Sequence, residues 1–223
     1  MKKSVLIFLI FLTINLMVKG VDNNFPPFYV LETIMIPIDD NEVVISHLIM
    51  NYTISLIFIY QITKINFMLF KMYPFIFTRT TSKRILKVYL KYIIKNILYI
   101  MILKFVADLI TNNVNFFQNV YILLTMYLSL IITVILWSLF NIFVYFMLND
   151  QKKTMFIILI TIYISQYIAL KNNAFSVIAF TCKDFYLNFN YIIIKKIIAI
   201  IILFCITNKV IDNYEYIGGI KND

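Results

Sequence analysis

Residues 119–148 read NVYILLTMYLSLIITVILWSLFNIFVYFML, a stretch without a single acidic or basic side chain. About 20 consecutive apolar residues are enough for an α-helix to cross the hydrocarbon core of a bilayer. This stretch is longer than that minimum, so its helix would tilt or extend past the bilayer. The sequence therefore predicts a transmembrane helix at this position.

The composition of the whole chain points the same way. Hydrophobic residues make up 62% of the 223 positions and charged residues only 14%, whereas soluble domains average about 45–50% apolar and about 25% charged residues. Six helices of transmembrane length would use most of a chain of this size. We therefore predict a single transmembrane domain over residues 1–223, with no room for a separate catalytic domain.

Five further apolar runs flank the charge-free stretch. The predicted transmembrane spans lie at about residues 3–19, 44–63, 90–110, 119–148, 154–170 and 190–208. The first run follows Lys2 and Lys3, as in a secretory signal peptide, but no small-residue cleavage site follows, so we interpret it as a retained helix. The turn at residues 149–153 is too short to cross a bilayer, so the helices beside it must be antiparallel neighbours. The predicted fold class is an all-α integral membrane protein with about six transmembrane helices.

The distribution of Lys and Arg predicts the orientation, because cytoplasmic loops retain a positive excess. A cytoplasmic N-terminus places most of the 20 basic residues inside, and the even number of spans returns the C-terminus to the cytoplasm. The basic residues left on the outer side are Lys19, Lys171, Lys183, Lys195 and Lys196. Residues 20–43, which hold a concentration of acidic side chains, are predicted to form an outer loop.

The net charge of +9 raises a second possibility, nucleic-acid binding. The positions of the charges argue against it, because the basic residues stand at the ends of apolar runs. We therefore predict a lipid membrane as a partner of the chain and no nucleic acid.

The sequence contains no recognisable motif for catalysis, metal binding or cofactor binding. A phosphate-binding loop needs clustered glycines followed by Lys and Ser or Thr, and the three glycines stand at positions 20, 218 and 219. A zinc protease motif needs two histidines, and the only histidine is His47. We predict no enzymatic activity, no cofactor and no metal site, and we expect any energy from ATP to come from another polypeptide.

Lys104 and Asp108 are the ionisable pair within a predicted span, and such groups indicate a functional site by default because they are costly in a membrane. Their spacing of four residues places them on one helix face. One interpretation is a polar contact that lines a path or an interface. The other, which we favour, is a local ion pair near the outer end of the span, with Lys104 extending toward the lipid headgroups.

A basic segment at residues 64–89, free of acidic residues, precedes the third span and is predicted to be cytoplasmic. Lys83, Lys87, Lys91 and Lys95 recur at every fourth position, so in a helix they form a basic stripe. Attraction of Lys and Arg to anionic headgroups, at about 1 kcal/mol each, is one explanation of this charge. The other is a docking surface for an acidic cytoplasmic partner, with candidate residues Arg79, Lys83, Arg84, Lys87 and Lys91.

The stretch FTRTTSKRILK at residues 77–87, together with the predicted topology, resembles the permease subunits of type-2 ABC exporters. The resemblance is to the small permeases of bacteriocin or lantibiotic export and immunity. It implies a bacterial plasma membrane, a hydrophobic or peptide substrate, a cytoplasmic ATP-binding subunit that docks on the basic segment, and a homo- or hetero-oligomer with a second permease. The alternative function is a stand-alone immunity protein that binds a membrane-active peptide without ATP.

Overall fold

The computed structural model describes residues 2–21, 38–39, 42–43, 45–71, 82–111, 120–171, 176–179 and 189–220. Within these ranges the chain forms six α-helices, so the prediction of a helical fold is confirmed for this part of the chain apart from one short pair of strands. The helices are α1 (Lys2–Val21), α2 (Ile45–Lys71), α3 (Ser82–Thr111), α4 (Val120–Leu148), α5 (Gln151–Lys171) and α6 (Phe189–Ile220). Two strands of two residues each, β1 (Ile38–Asp39) and β2 (Glu42–Val43), form an antiparallel pair between α1 and α2.

Several helices are longer than the apolar runs in the sequence. Helix α3 begins at Ser82, before the predicted span at residues 90–110, and α6 continues to Ile220. Lys, Arg and Glu have favourable helix propensities, so a helix does not have to end where its apolar run ends. The first part of α3 is therefore a basic helix that leads directly into an apolar one.

Two helical stretches within the described residues are long and apolar enough to cross a membrane. They are Tyr127–Leu148 in α4 and Phe189–Asn213 in α6, and a shorter apolar stretch, Ser4–Leu16, lies in α1. In α3 the apolar residues are interrupted by charged ones, including Lys104 and Asp108. The structure thus supports the predicted fold in its coarser form: the described residues are almost entirely helical, and two of the helices are long and apolar enough to cross a membrane.

Helices α3 and α4 occupy the centre of the bundle. Helix α3 contacts α1, α2, α4 and α6, and α4 contacts α2, α3, α5 and α6. The largest fully buried side chains include Trp137 of α4, Tyr89 of α3 and Phe58 of α2. These bulky residues belong to one core cluster. The apolar stretch of α4 is far more buried than that of α6.

Contacts between helices establish their relative directions. Asn15, near the end of α1, contacts Asp108 and Thr111 near the end of α3, so these two helices run parallel. Asp108 also contacts Tyr127 near the start of α4, while Tyr89 near the start of α3 contacts the middle of α4 at the carbonyl of Ser138. Helices α3 and α4 are therefore antiparallel.

A tight turn reverses the chain between α4 and α5. Asn149 adopts a positive φ of 52°, and its amide donates a 2.7 Å hydrogen bond to the carbonyl of Tyr145. Asn tolerates this left-handed conformation better than most residues, which suits it to the end of a helix. The carboxylate of Asp150 then accepts hydrogen bonds from the amides of Lys152 and Lys153 and caps the start of α5.

Candidate functional site

The centre of the candidate site is an ion pair within α3. The Nζ atom of Lys104 lies 2.9 Å from Oδ1 and 3.1 Å from Oδ2 of Asp108, one helical turn away. Lys104 is 0% exposed and Asp108 3% exposed. The two side chains thus share a helix face, as predicted. They are in direct contact, and both are enclosed by the bundle.

Side chains from two other helices complete the surroundings of Asp108. Tyr127 of α4 donates a 2.7 Å hydrogen bond from its hydroxyl to Oδ2. Asn15 of α1 donates from Nδ2 to Oδ1 at 2.8 Å and also to the hydroxyl of Thr111 at 3.1 Å. We call Asn15, Lys104, Asp108, Thr111 and Tyr127 the polar cluster. It connects α1, α3 and α4 through a single carboxylate.

The electrostatics of the polar cluster depend on this full set of donors. Burying two charges costs several kcal/mol per ion, and the cost is offset only when the ions are in good contact and their remaining hydrogen-bonding capacity is used. Asp108 receives donors from Lys104, Asn15 and Tyr127, and hydrogen bonds to an ionised group are the strong ones. Lys104 also lies 5.8 Å from the centre of the Phe11 ring, close enough for a cation–π attraction.

The local ion pair that we favoured for Lys104 is present, but the expected orientation of its side chain is wrong. We expected its side chain to extend toward the lipid headgroups, but the structure encloses it completely. The physical reason is that Asp108 and the Phe11 ring both lie within reach inside the bundle, so the ammonium group has partners without leaving it.

One hydrogen-bond acceptor of the polar cluster has no partner. The Oδ1 atom of Asn15 is buried and has no hydrogen-bond partner, while the amide nitrogen of the same side chain is fully used. A buried polar atom without a partner costs about 1–3 kcal/mol.

The basic residues of α3 lie at the opposite end of the same helix. Arg84, Lys87, Lys91 and Lys95 are all exposed, whereas Leu86, Tyr89 and Ile93 between them are buried. The inner face of this segment is therefore apolar, whereas its outer face combines the four basic side chains with the exposed Val88 and Tyr92. At 1.5 Å per residue, about 25 Å of helix separates Lys87 from Lys104.

Two residues predicted for this docking surface are described only partly or not at all. Lys83 belongs to α3, but only its backbone is described, and Arg79 lies outside the described residues. We therefore use the name basic row for the four exposed residues Arg84, Lys87, Lys91 and Lys95.

A second buried lysine was not singled out from the sequence. Lys196 of α6, which we assigned to the outer side, is 0% exposed inside the bundle. Its Nζ atom donates to the hydroxyls of Thr133 at 2.6 Å and Ser129 at 3.1 Å, and to the carbonyl of Ala179 at 2.9 Å. Its burial could have been suspected from its position inside an apolar run, since a charged residue there requires partners from elsewhere in the fold.

Two further polar contacts join helices within the core. Asn66 of α2 donates to the side-chain oxygen of Asn141 in α4. Gln166 of α5 donates to the hydroxyl of Ser55 in α2 at 2.9 Å. These contacts hold α2 against α4 and α5, so polar groups fix the register at several levels of the bundle.

The described residues offer no arrangement suited to metal chemistry, since they contain no group of three or more His, Cys, Asp or Glu side chains that could hold a metal ion. No protein-family model, curated protein or solved structure matches the chain. A functional conclusion therefore rests on the contacts described above.

Proposed function

We propose that the chain is the membrane-spanning subunit of an ABC exporter in a bacterial plasma membrane. In this proposal six helices cross the bilayer, both termini are cytoplasmic, and a separate ATP-binding subunit and a second permease complete the transporter. The observation that carries the proposal is the organisation of α3, which has an exposed basic row at one end and the buried polar cluster at the other.

The helix directions support a chain that crosses the bilayer repeatedly. Helices α1 and α3 run parallel, α3 and α4 antiparallel, and the tight turn at Asn149 reverses α4 into α5. Alternating directions of this kind are what successive membrane crossings require. With the N-terminus inside, the basic row lies on the cytoplasmic side and the polar cluster lies toward the outer side.

The basic row suits an acidic protein surface. Its charges are exposed, and a partner can pair with Arg84, Lys87 and Lys91 at once, although each exposed pair contributes only about 0–1 kcal/mol. An ATP-binding subunit docked there would contact the same helix that carries the polar cluster.

Helix α3 suits the transmission of movement across the bundle. It contacts four other helices, and the polar cluster links its far end to α1 and α4. If ATP-driven closure of the partner displaces the basic row, the polar cluster is where α3 would pull on its neighbours. The transported molecule is proposed to be hydrophobic or a peptide such as a bacteriocin.

The test replaces Arg79, Lys83, Arg84 and Lys87 together with Gln. We expect the variant to insert in the membrane, to lose co-purification with the ATP-binding subunit and to lose export or peptide resistance. The matched control replaces Lys152, Lys153 and Lys209, three exposed basic residues that the predicted orientation places on the same side. The control should retain both partner binding and activity.

Two outcomes contradict the proposal. Full partner binding and activity in the four-fold variant would mean that the basic residues only orient the chain toward anionic headgroups. If the wild-type protein protects cells that lack the ATP-binding subunit, a stand-alone immunity protein that binds a membrane-active peptide replaces the exporter.

A further inference from the structure

An apolar cavity of about 300 Å³ lies between α4, α6 and the turn at residues 176–179. Its walls include Leu136 and Phe140 of α4, Val177 and Ile178 of the turn, and Ala199 and Ile206 of α6. Nearly all of the atoms that line it are carbon, and its size is at the lower end for ligand pockets. The cavity therefore suits a hydrocarbon group and offers no site for a polar one.

The walls of this cavity are held in place by buried hydrogen bonds from both helices. Trp137 of α4 donates from Nε1 to the carbonyl of Ile178 at 2.8 Å. Lys196 of α6 donates to the carbonyl of the next residue, Ala179, at 2.9 Å. One hydrogen bond from each helix therefore positions the turn that forms one wall of the cavity.

The cavity opens on the exposed face of α6. Ile202 lines it and is 54% exposed, so the cavity reaches the surface at this residue. Its neighbours Ile198 and Ile201 are exposed as well, and they continue the apolar surface around the opening. In a membrane-embedded chain an apolar face of this kind is in contact with lipid chains.

The basic side chain of Lys195 lies one helical turn from the cavity. Lys195 precedes Ala199 by four residues, and the spacing of Lys195, Ala199 and Ile202 places all three on one face of α6. The Nζ atom of Lys195 lies 4.1 Å from the centre of the Tyr191 ring, on the side of the helix start. A positive charge next to an apolar cavity complements a ligand that has an anionic head and a hydrocarbon tail.

We infer that this cavity binds one acyl chain of an anionic phospholipid and that Lys195 pairs with the phosphate of its headgroup. The inference rests on the membrane placement in the proposed function, but it does not depend on an ATP-binding partner. It also gives the buried Lys196 a role, since Lys196 positions the turn that forms one wall of the cavity.

Fluorescence of Trp137 can report binding of an acyl chain in the cavity. Trp137 is the only tryptophan in the chain, and its indole contacts the cavity wall at Ile178. The full chain is reconstituted in phosphatidylcholine vesicles with increasing fractions of phosphatidylglycerol or phosphatidylcholine brominated on an acyl chain. Bromine quenches indole fluorescence at short range. We expect both lipids to quench Trp137, with phosphatidylglycerol effective at a fraction about fivefold lower, as one lysine–headgroup attraction implies.

Paired substitutions separate the cavity from the general lipid surface. Ala199→Phe fills the cavity and should remove most of the quenching, whereas Ile198→Phe adds the same ring on the exposed face and should not. Val177→Phe narrows the cavity from the turn and provides a second test if Ala199→Phe does not fold. Lys195→Gln should abolish the preference for phosphatidylglycerol, whereas Lys209→Gln, an exposed lysine farther along α6, should preserve it.

Three results would overturn the inference. Quenching that Ala199→Phe and Val177→Phe leave unchanged would show that no acyl chain enters the cavity. Equal quenching by the two lipids in the wild-type chain would remove the role of the anionic head. Quenching that rises only when the chain is diluted in the vesicles would show that a second copy covers the cavity.

A flotation assay distinguishes failure of this inference from failure of the proposed function. A chain that does not float with the vesicles contradicts the membrane placement, and with it both proposals. A chain that floats but shows no effect of Ala199→Phe contradicts the lipid site alone.

Discussion

Asn15 of α1 and Asp108 of α3 are joined by a 2.8 Å hydrogen bond although 93 positions separate them in the sequence. The same carboxylate contacts Lys104 and Tyr127, so a single residue holds three helices. The N-terminal helix is thereby an integral part of the bundle, because it supplies both a donor to Asp108 and the Phe11 ring that faces Lys104.

The first prediction concerns the ion pair in the polar cluster. Asp108→Asn leaves the ammonium of Lys104 buried without its countercharge, and removal of one partner of a buried pair costs about 3–5 kcal/mol. We expect the free energy of unfolding to fall by this amount. Denaturant unfolding of the purified protein in detergent micelles, followed by circular dichroism, measures the change.

A double replacement and an exposed pair are the controls for this prediction. Lys104→Met combined with Asp108→Leu removes both charges and should cost less than Asp108→Asn alone. Lys153→Gln breaks the exposed contact of Lys153 with Asp150, which is 4.0 Å long, and should change stability by no more than about 1 kcal/mol. Equal losses from the single and the double replacement would contradict the view that charge compensation holds the cluster together.

The second prediction compares two adjacent lysines of α6. Lys196→Met removes the charged donor to the hydroxyls of Ser129 and Thr133 and to the carbonyl of Ala179, and the loss of a hydrogen bond to a buried carbonyl costs about 1–3 kcal/mol. Lys195→Met removes a partly exposed side chain that contacts the Tyr191 ring and should have a small effect. The same unfolding experiment ranks the two variants. A larger loss from Lys195→Met would mean that the contacts of Lys196 contribute little.

Apolar runs were sufficient to predict that the helices exist, although not where each begins, because a long uncharged stretch such as residues 119–148 satisfies its own backbone hydrogen bonds as a helix. The four-residue spacing of Lys104 and Asp108 was likewise sufficient to predict a shared face. Both are local properties of the sequence. The same reasoning applies to the basic row, whose exposed residues alternate with buried ones at helical spacing.

The burial of the charged groups could not be predicted in the same way. Whether Lys104 reaches the surface depends on Phe11 and Asn15, which lie in a different helix and come close only after folding. Lys196 depends in the same manner on α4 and on the turn at residues 176–179. Charge counting assigned Lys196 to the outer side because a sequence alone does not show which partners a basic residue will meet.

The third prediction concerns the turn between α4 and α5. Asn149 has a positive φ of 52°, and a β-branched residue in this conformation is strained by about 1–2 kcal/mol. Asn149→Ile should lower the free energy of unfolding by about this amount, whereas Asn149→Gly, which adopts positive φ readily, should be neutral or nearly so. The unfolding midpoints of the two variants test the difference. Similar midpoints would contradict the left-handed conformation.

The fourth prediction concerns the orientation of the helices in the membrane. Reporter fusions after Lys71, Asn113, Lys153 and Lys183 should report the cytoplasm, the outside, the cytoplasm and the outside, because the contacts of Asp108 make α3 antiparallel to α4 and the turn at Asn149 reverses the chain again. Lys71 is chosen because α2 ends there, so the fusion does not interrupt a helix. Alkaline phosphatase, active outside, and green fluorescent protein, fluorescent inside, serve as complementary reporters at each position. If the fusions after Lys71 and Asn113 report the same side, α3 does not cross the bilayer, and the proposed path from the basic row to the polar cluster is wrong.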